Sequence, residues 1–292
     1  MFLNEKKDFN KTNDDCVKDF CKCEKADEEY IRLLKKQSRK IGSYTMEKRQ
    51  FRQRKILLYI LMILLLLIYQ ELVGKVGRIV ADLIPYERFD PFNAFAWVSV
   101  HHITEMVITL VVIMILSKIL TVDFALGFGD RKKGIKYVVV FTVIFTGITI
   151  VCHILMQIYN MLPVYNYPLD TANILGTLGF QLFLSGPAEE ILYRALPITM
   201  LVFMLGKNAK VKRNITLEII IASFLFAIAH AKWSLFPFSF EANYFQLFYA
   251  FVLGNIMGKV YHETHSIVYP MLIHSISNVL MVGTGYLFLL LC

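Results

Sequence analysis

Long apolar blocks separated by short polar stretches dominate the chain after residue 55. An α-helix needs about 20 residues to cross the hydrocarbon core of a bilayer, and most of these blocks are near that length. Residues 74–93 instead carry several charges and two prolines, so we expect an outer loop with an interfacial helix there. The blocks predict membrane spans at residues 56–72, 94–119, 137–161, 171–205, 217–231, 242–260 and 267–291.

The block at residues 171–205 is too long for one straight crossing. Pro187 and Pro197 are points at which it could break, because proline lacks a backbone donor and kinks a helix. If this block or the block at 267–291 forms two crossings, the total rises by one. The pattern therefore predicts an all-α fold, a polytopic helical membrane bundle with seven or eight transmembrane helices.

Composition and charge agree with this class. The 292 residues are 56% hydrophobic, and the mean hydropathy of +0.52 is too high for an ordinary soluble domain. The net charge of +8 raises nucleic acid as a partner, but 16 of the 31 Lys and Arg residues precede Ile56. That placement favours membrane lipids over nucleic acid as the partner. Basic loops alternate with loops poor in Lys and Arg, which predicts a multi-pass membrane protein with a cytoplasmic N-terminus.

The same pattern divides the chain into three parts. Residues 1–55 are expected to form a charged, largely disordered cytoplasmic tail, with one short amphipathic helix between Ala26 and Arg39. Residues 56–170 are expected to form the N-terminal transmembrane helices, and residues 171–292 a transmembrane core. The cysteines do not predict a disulfide framework, because their number is odd and three of them lie in the tail: Cys16, Cys21, Cys23, Cys152 and Cys292. The spacing of the three in the tail matches no zinc pattern.

Two adjacent carboxylates and an arginine lie inside the fourth apolar block. Ionisable groups at membrane depth are costly and are functional candidates by default. Residues four apart share a helix face, so Glu190 and Arg194 are predicted to form an ion pair. Glu189 is rotated by about 100° and can point elsewhere. The alternative is that all three form a single structural network.

Two later apolar blocks carry polar residues at the same four-residue spacing, Phe226 with His230 and His274 with Asn278. A single histidine in an apolar helix is usually a core residue, but the combination with a free glutamate indicates a site. A carboxylate and a histidine can take a proton from water, and His and Asn side chains can donate hydrogen bonds to an oxyanion. Equally, Glu189, His230 and His274 could supply three zinc ligands.

Other polar residues carry weaker signals. His101, His102 and Glu105 could form a metal or proton site, although an interfacial polar cluster is the preferred interpretation. Gly254 and Gly258 could bring two helices into close contact within the bundle.

At these residues the chain resembles the CPBP family of intramembrane proteases (the Abi family), which includes the type II CAAX prenyl endopeptidases. The family pattern is Glu-Glu-x-x-x-Arg, then Phe-x-x-x-His, then His-x-x-x-Asn, each on its own transmembrane helix. The resemblance covers roughly residues 175–285. The matching positions are Glu189, Glu190, Arg194, Phe226, His230, His274 and Asn278.

The resemblance implies that residues 171–292 form a CPBP-like catalytic core around a conical cavity. Carried over by position, Glu189 and His230 would activate a water molecule, while His274 and Asn278 would stabilise the oxyanion.

The remaining motif positions, Glu190, Arg194 and Phe226, would support the site. Family members have been described both as metalloproteases and as glutamate-dependent proteases. We favour the metal-free mechanism, with no cofactor required, because Asn278 suits an oxyanion donor better than a zinc ligand. A divalent metal, zinc, remains the alternative.

The expected function is that of an intramembrane endopeptidase acting on a membrane-associated peptide or protein, whether prenylated or not, in a bacterial cell membrane. The alternative is a non-proteolytic binding or bacteriocin-immunity protein of the same fold. A transporter or channel with a proton relay is disfavoured, because the polar groups are few and clustered.

Overall fold

The computed structural model describes residues 53–54, 56–205, 210–212, 215–235 and 238–291. The chain divides into two units, residues 1–58 and 59–292. Of the first unit the structure describes residues 53–54 and 56–58, the last three being the first turn of a helix. The predicted tail helix and the cysteines at positions 16, 21, 23 and 292 lie outside the described residues.

The described part of the chain is built from helices, which confirms the predicted all-α class. The helices are α1 (Ile56–Asp82), α2 (Ala96–Leu120), α3 (Arg131–Ile158), α4 (Thr171–Phe180), α5 (Gly186–Glu190), α6 (Leu196–Leu205), α7 (Leu217–Ala229), α8 (Tyr244–Thr264) and α9 (Val268–Leu291). Two antiparallel hairpins join helices on either side of α7. Their strands are β1 (Lys210–Lys212), β2 (Ile215–Thr216), β3 (Lys232–Leu235) and β4 (Phe238–Glu241).

Among the described residues, α1, α2, α3 and α9 are long and apolar enough to cross a bilayer by length and composition. The surface of these helices carries large apolar side chains such as Val143 and Ile119, exposed by 70% and 72%. Such a surface suits contact with lipid, whereas a soluble protein buries most of it. The chain is therefore a multi-pass membrane protein.

Polar caps set the start of three helices. Asp130, Asp170 and Asn243 each accept a hydrogen bond from a backbone N–H in the first turn of α3, α4 and α8 respectively. The Asp130 cap explains why α3 begins at Arg131, before the predicted start at residue 137.

The predicted outer loop at residues 74–93 is wrong in its first part, because α1 continues to Asp82. Small or apolar residues Val73, Gly77 and Ala81 are buried at helical spacing, while the charged Lys75 and Arg78 are exposed. A Cβ atom on Gly77 would lie 2.7 Å from His101 Nδ1, so glycine allows α1 to pack closely against α2.

The helical segment from Thr171 to Leu205 is continuous, and the predicted breaks take the form of two π-helical turns, π1 (Gln181–Ser185) and π2 (Ile191–Ala195). Each turn ends two residues before a proline, at Pro187 and Pro197. In an α-helix the proline ring clashes with the carbonyl four residues earlier, and here Phe183 and Tyr193 lie in the wider turns, which relieve that clash. Residues Thr171–Leu205 therefore form one continuous helical rod, without the break into two helices that the prolines allowed.

Gly254 and Gly258 bring α8 against α7, as predicted. A Cβ atom on Gly258 would lie 2.7 Å from Ile219 Cγ2, and one on Gly254 would lie 3.1 Å from Ser223 Cβ. The contact lies within the bundle and helps place the end of α7 beside the rod.

Candidate active site

A cavity of about 330 Å³ lies between the rod and helices α2, α7, α8 and α9. Unlike the mostly apolar interior, its lining combines acid, imidazole, amide and hydroxyl groups with apolar side chains. All four residues predicted to do chemistry line it: Glu189, His230, His274 and Asn278.

Glu189 projects into this cavity, with 15% of its side chain exposed. Its Oε1 lies 3.1 Å from His102 Nε2 and 3.2 Å from Ser185 Oγ. Its Oε2 lies 3.7 Å from His274 Nε2. This last distance is wide for a direct hydrogen bond, and a single oxygen atom can bridge it from the cavity.

Glu190 turns to the opposite, sealed side and is fully buried. Its Oε1 accepts a 2.7 Å hydrogen bond from His274 Nδ1 and lies 2.9 Å from Arg194 Nη1. The predicted ion pair between Glu190 and Arg194 is therefore present. The two adjacent glutamates are not independent, however, because His274 approaches both.

Arg194 lies over the face of Phe226, with Cζ 3.8 Å from the ring centroid. A guanidinium over an aromatic face gains a cation–π interaction, which is stronger away from water. The Phe226 ring also makes edge-to-face contacts with the His230 and His274 rings, whose centroids lie 4.7 Å and 5.9 Å away. Phe226 thus contacts the buried arginine and both histidines.

His230 lies at the end of α7, where its Nδ1 is 2.9 Å from the carbonyl oxygen of Phe226. A carbonyl can only accept, so Nδ1 carries a proton, and in the neutral ring Nε2 presents its lone pair. That arrangement suits a proton acceptor or a metal ligand.

Asn278 and Ser185 form a chain of hydrogen bonds that ends at the Glu189 carboxylate. Asn278 Nδ2 donates to Ser185 Oγ at 3.0 Å, and Ser185 in turn donates to Glu189 Oε1. Ser185 ends π1 and lies four residues before Glu189, so the two side chains share one face of the rod. Nothing in the sequence pattern singled out this serine.

Close packing of the rod on α9 brings these groups together. A Cβ atom on Gly186 would lie 2.7 Å from the carbonyl oxygen of Met271 and would collide with Ser275 Oγ. Only glycine permits this approach, which holds Glu189 and Glu190 against His274.

Sequence reasoning missed His102 as a site residue, because the sequence favours an interfacial cluster of His102 with His101 and Glu105. His101 and Glu105 do pair, with His101 Nε2 3.2 Å from Glu105 Oε1. His102 lines the cavity and contacts Glu189. The sequence does show a second histidine inside an apolar span, which marks His102 as unusual. Its spacing, however, does not relate α2 to the rod.

The donor atoms in the cavity are chemically suited to zinc. Glu189, His230 and His274 each have one polar atom held by a neighbouring group, which leaves Oε2 and two Nε2 atoms towards the cavity. Outer partners of this kind orient ligands in zinc sites. Among the described residues, His101, His102 and Glu105 are the group whose ligand atoms lie within 4.8 Å of one another. Glu189, His230 and His274 therefore offer suitable donor types but are not gathered as closely.

Comparison with known proteins gives one match. Residues 171–280 match the family described as type II CAAX prenyl endopeptidase Rce1-like. No match is found among curated proteins or solved structures. The matched range holds all three sequence motifs and every cavity residue discussed above except His102. Residues 171–280, less than half of the chain, are therefore similar to the Rce1-like type II CAAX prenyl endopeptidase family.

Proposed function

We propose that this protein is an intramembrane endopeptidase that hydrolyses a peptide bond of a membrane-associated peptide or protein. The observation that carries the proposal is the meeting of Glu189, His230, His274 and Asn278 on one cavity within the family-matched range. These groups come from three separate helices, and apolar residues surround them.

In the proposed reaction, Glu189 and His230 position a water molecule and accept its proton as its oxygen attacks the peptide carbonyl carbon. The carbonyl oxygen becomes an oxyanion, which receives hydrogen bonds from Asn278 and from Nε2 of His274 in its doubly protonated form, since Nδ1 already donates to Glu190. Collapse of the tetrahedral intermediate breaks the C–N bond. The proton taken from water then passes to the departing amine.

Glu190, Arg194 and Phe226 support the site in this proposal. Glu190 holds His274 through Nδ1 and thereby directs Nε2 to the cavity. Arg194 balances the buried carboxylate and stacks on Phe226. Removing any one of them would leave a buried group without its partner.

The metal-free reaction is our first choice, and zinc is the alternative. Zinc held by Glu189, His230 and His274 would polarise the carbonyl and lower the pKa of a bound water.

The membrane setting defines the partners. Lipids surround the apolar helices, and the substrate must reach a cavity bounded by membrane-spanning segments. We propose a cytoplasmic N-terminus and a bacterial cell membrane, with the basic residues near α1 on the inner side. The name of the matched family refers to prenylated substrates. The first experiment should therefore ask whether the substrate must be prenylated.

The test uses purified protein in detergent micelles and two peptides, one with a farnesylated C-terminal Cys-Ala-Ala-X sequence and one identical but unmodified. Mass spectrometry of the products should show cleavage by wild-type protein and none by Glu189→Ala. A Glu189→Ala protein that cleaves as well as the wild type would contradict the proposal, as would no cleavage of either peptide by wild type. Activity that survives a zinc chelator supports the metal-free reaction, and activity that is lost and then restored by added zinc supports the alternative.

A further inference from the structure

One polar side chain in the cavity comes from outside the family-matched range. His102 lies on α2, in the N-terminal half of the chain, and its Nε2 is 3.1 Å from Glu189 Oε1. Its side chain is 12% exposed, and its ring meets the edge of Phe180 with centroids 5.0 Å apart. The contact therefore joins two distant parts of the chain inside the bundle.

The orientation of the His102 ring is fixed at both nitrogens. Nδ1 lies 2.9 Å from the carbonyl oxygen of Val98, one turn earlier on α2. Because a carbonyl only accepts, Nδ1 carries a proton and Nε2 is directed at Glu189. A 3.1 Å approach between Nε2 and Oε1 is a hydrogen bond when one proton lies between these two atoms.

This hydrogen bond divides the two oxygens of Glu189 into different environments. Oε1 is held by His102 and also accepts from Ser185 Oγ at 3.2 Å. Oε2 has His274 Nε2 as its neighbour at 3.7 Å, with room for a further contact. A carboxylate held through one oxygen cannot rotate freely, so the other oxygen keeps a constant direction.

We propose that His102 is a positioning residue of the active site, which holds Glu189 through Oε1 so that Oε2 faces the reacting water. The inference rests on the proposed function for its kinetic consequence. It also means that residues 171–280 do not contain the complete site, because α2 supplies one of its side chains.

Two other histidines show what is particular to His102. His101, its neighbour, pairs with Glu105 and stacks on Trp97, away from Glu189. His153 on α3 makes the same local contact as His102, with Nδ1 2.9 Å from the carbonyl of Thr149, but its ring lies beside Phe288. His153 is therefore a matched control in a different span.

The kinetic test compares His102→Phe, His102→Gln and His153→Phe with wild type on the farnesylated peptide. Glutamine can donate from nearly the position of Nε2, whereas phenylalanine keeps the ring and loses the donor. Loss of a hydrogen bond to a charged group that is needed in the transition state lowers a rate by about 10- to 100-fold. We expect His102→Phe to lower kcat by that factor with KM changed less than about threefold. His102→Gln should recover most of the loss, and His153→Phe should match wild type. Wild-type kcat in His102→Phe would overturn the proposal, and so would an equal loss in His102→Phe and His102→Gln.

A second measurement does not depend on cleavage. In protein labelled with ¹⁵N-histidine, the imidazole signals that disappear in His102→Gln belong to His102. Those signals should shift in Glu189→Gln, while the signals of His153, assigned in the same way, should stay in place. Unchanged His102 signals in Glu189→Gln would overturn the contact itself. If wild type cleaves no peptide but the His102 signals shift, the proposed function fails and the contact stands.

Discussion

Glu189 and Glu190 are adjacent in the chain and occupy opposite environments. Glu189 projects into a cavity, where it meets histidine, serine and open space. Glu190 has no exposed surface and is held between Arg194 and His274. The rotation of about 100° per residue along a helix is enough to separate them.

The comparison shows how a membrane protein can use a carboxylate in two ways. A fully buried charge is tolerable when a partner of opposite charge is fixed beside it, but that partner then leaves no room for a substrate. A carboxylate beside a cavity keeps one oxygen accessible and can react. His274 links the two environments, because Nδ1 contacts the sealed glutamate and Nε2 faces the other one.

The largest expected effect is on the cavity side. We expect His230→Ala to lower the cleavage rate by about 10²- to 10⁴-fold, because it removes a proton acceptor. Thermal stability should change little, since the ring is only half-buried at the end of α7. Cleavage assays and thermal unfolding of the same preparation measure both quantities. His262→Ala, a half-buried histidine on α8 outside the cavity, is the control. A large loss of thermal stability in His230→Ala would contradict the view that the cavity side serves catalysis and the sealed side serves stability.

The next effect is on the sealed side. Glu190→Ala leaves the Arg194 charge buried without its carboxylate, which we expect to lower the free energy of unfolding by about 3–5 kcal/mol. The yield of monodisperse protein and its thermal midpoint in detergent report this loss. The double variant Glu190→Gln/Arg194→Met removes both charges and should recover part of the stability. Unchanged stability in Glu190→Ala would show that the ion pair has no structural role.

The smallest effect is expected at the serine between the two motifs. Ser185→Ala removes two hydrogen bonds, from Asn278 and to Glu189. Each is worth about 1 kcal/mol, so losing both should lower the cleavage rate by about 30-fold at most, with the protein still folded. Ser223→Ala is the matched control, because that buried hydroxyl donates at 2.7 Å to the carbonyl of Ile219 in its own helix. Equal cleavage rates in Ser185→Ala and wild type would show that the Ser185 hydroxyl has no role in the reaction.

The helix class and the ion pair could be predicted from the sequence because both depend on local spacing. Apolar blocks give the spans, and residues four apart meet on a helix whatever surrounds them. The end of α1 was misplaced because Lys75 and Arg78 appeared to break the span. In the structure both lie on an exposed face while Val73 and Gly77 continue the buried one.

The contact between His102 and Glu189 could not be predicted in this way. It depends on how α2 packs against the rod, and no periodicity relates positions 87 residues apart. The two π turns were only partly predictable. Pro187 and Pro197 indicate irregularity, but whether the helix ends or widens depends on the packing of the neighbouring helices. The family resemblance predicted four of the cavity residues correctly, because the family pattern reflects which helices meet in the folded protein.

The most direct test of this account is to measure cleavage rate and thermal midpoint side by side in Glu189→Gln and Glu190→Gln. Both substitutions remove one charge with little change of shape, at adjacent positions. The account predicts that Glu189→Gln loses cleavage and keeps its thermal midpoint, whereas Glu190→Gln lowers the thermal midpoint. Cleavage by Glu189→Gln at the wild-type rate, or equal thermal midpoints in Glu190→Gln and wild type, would contradict it.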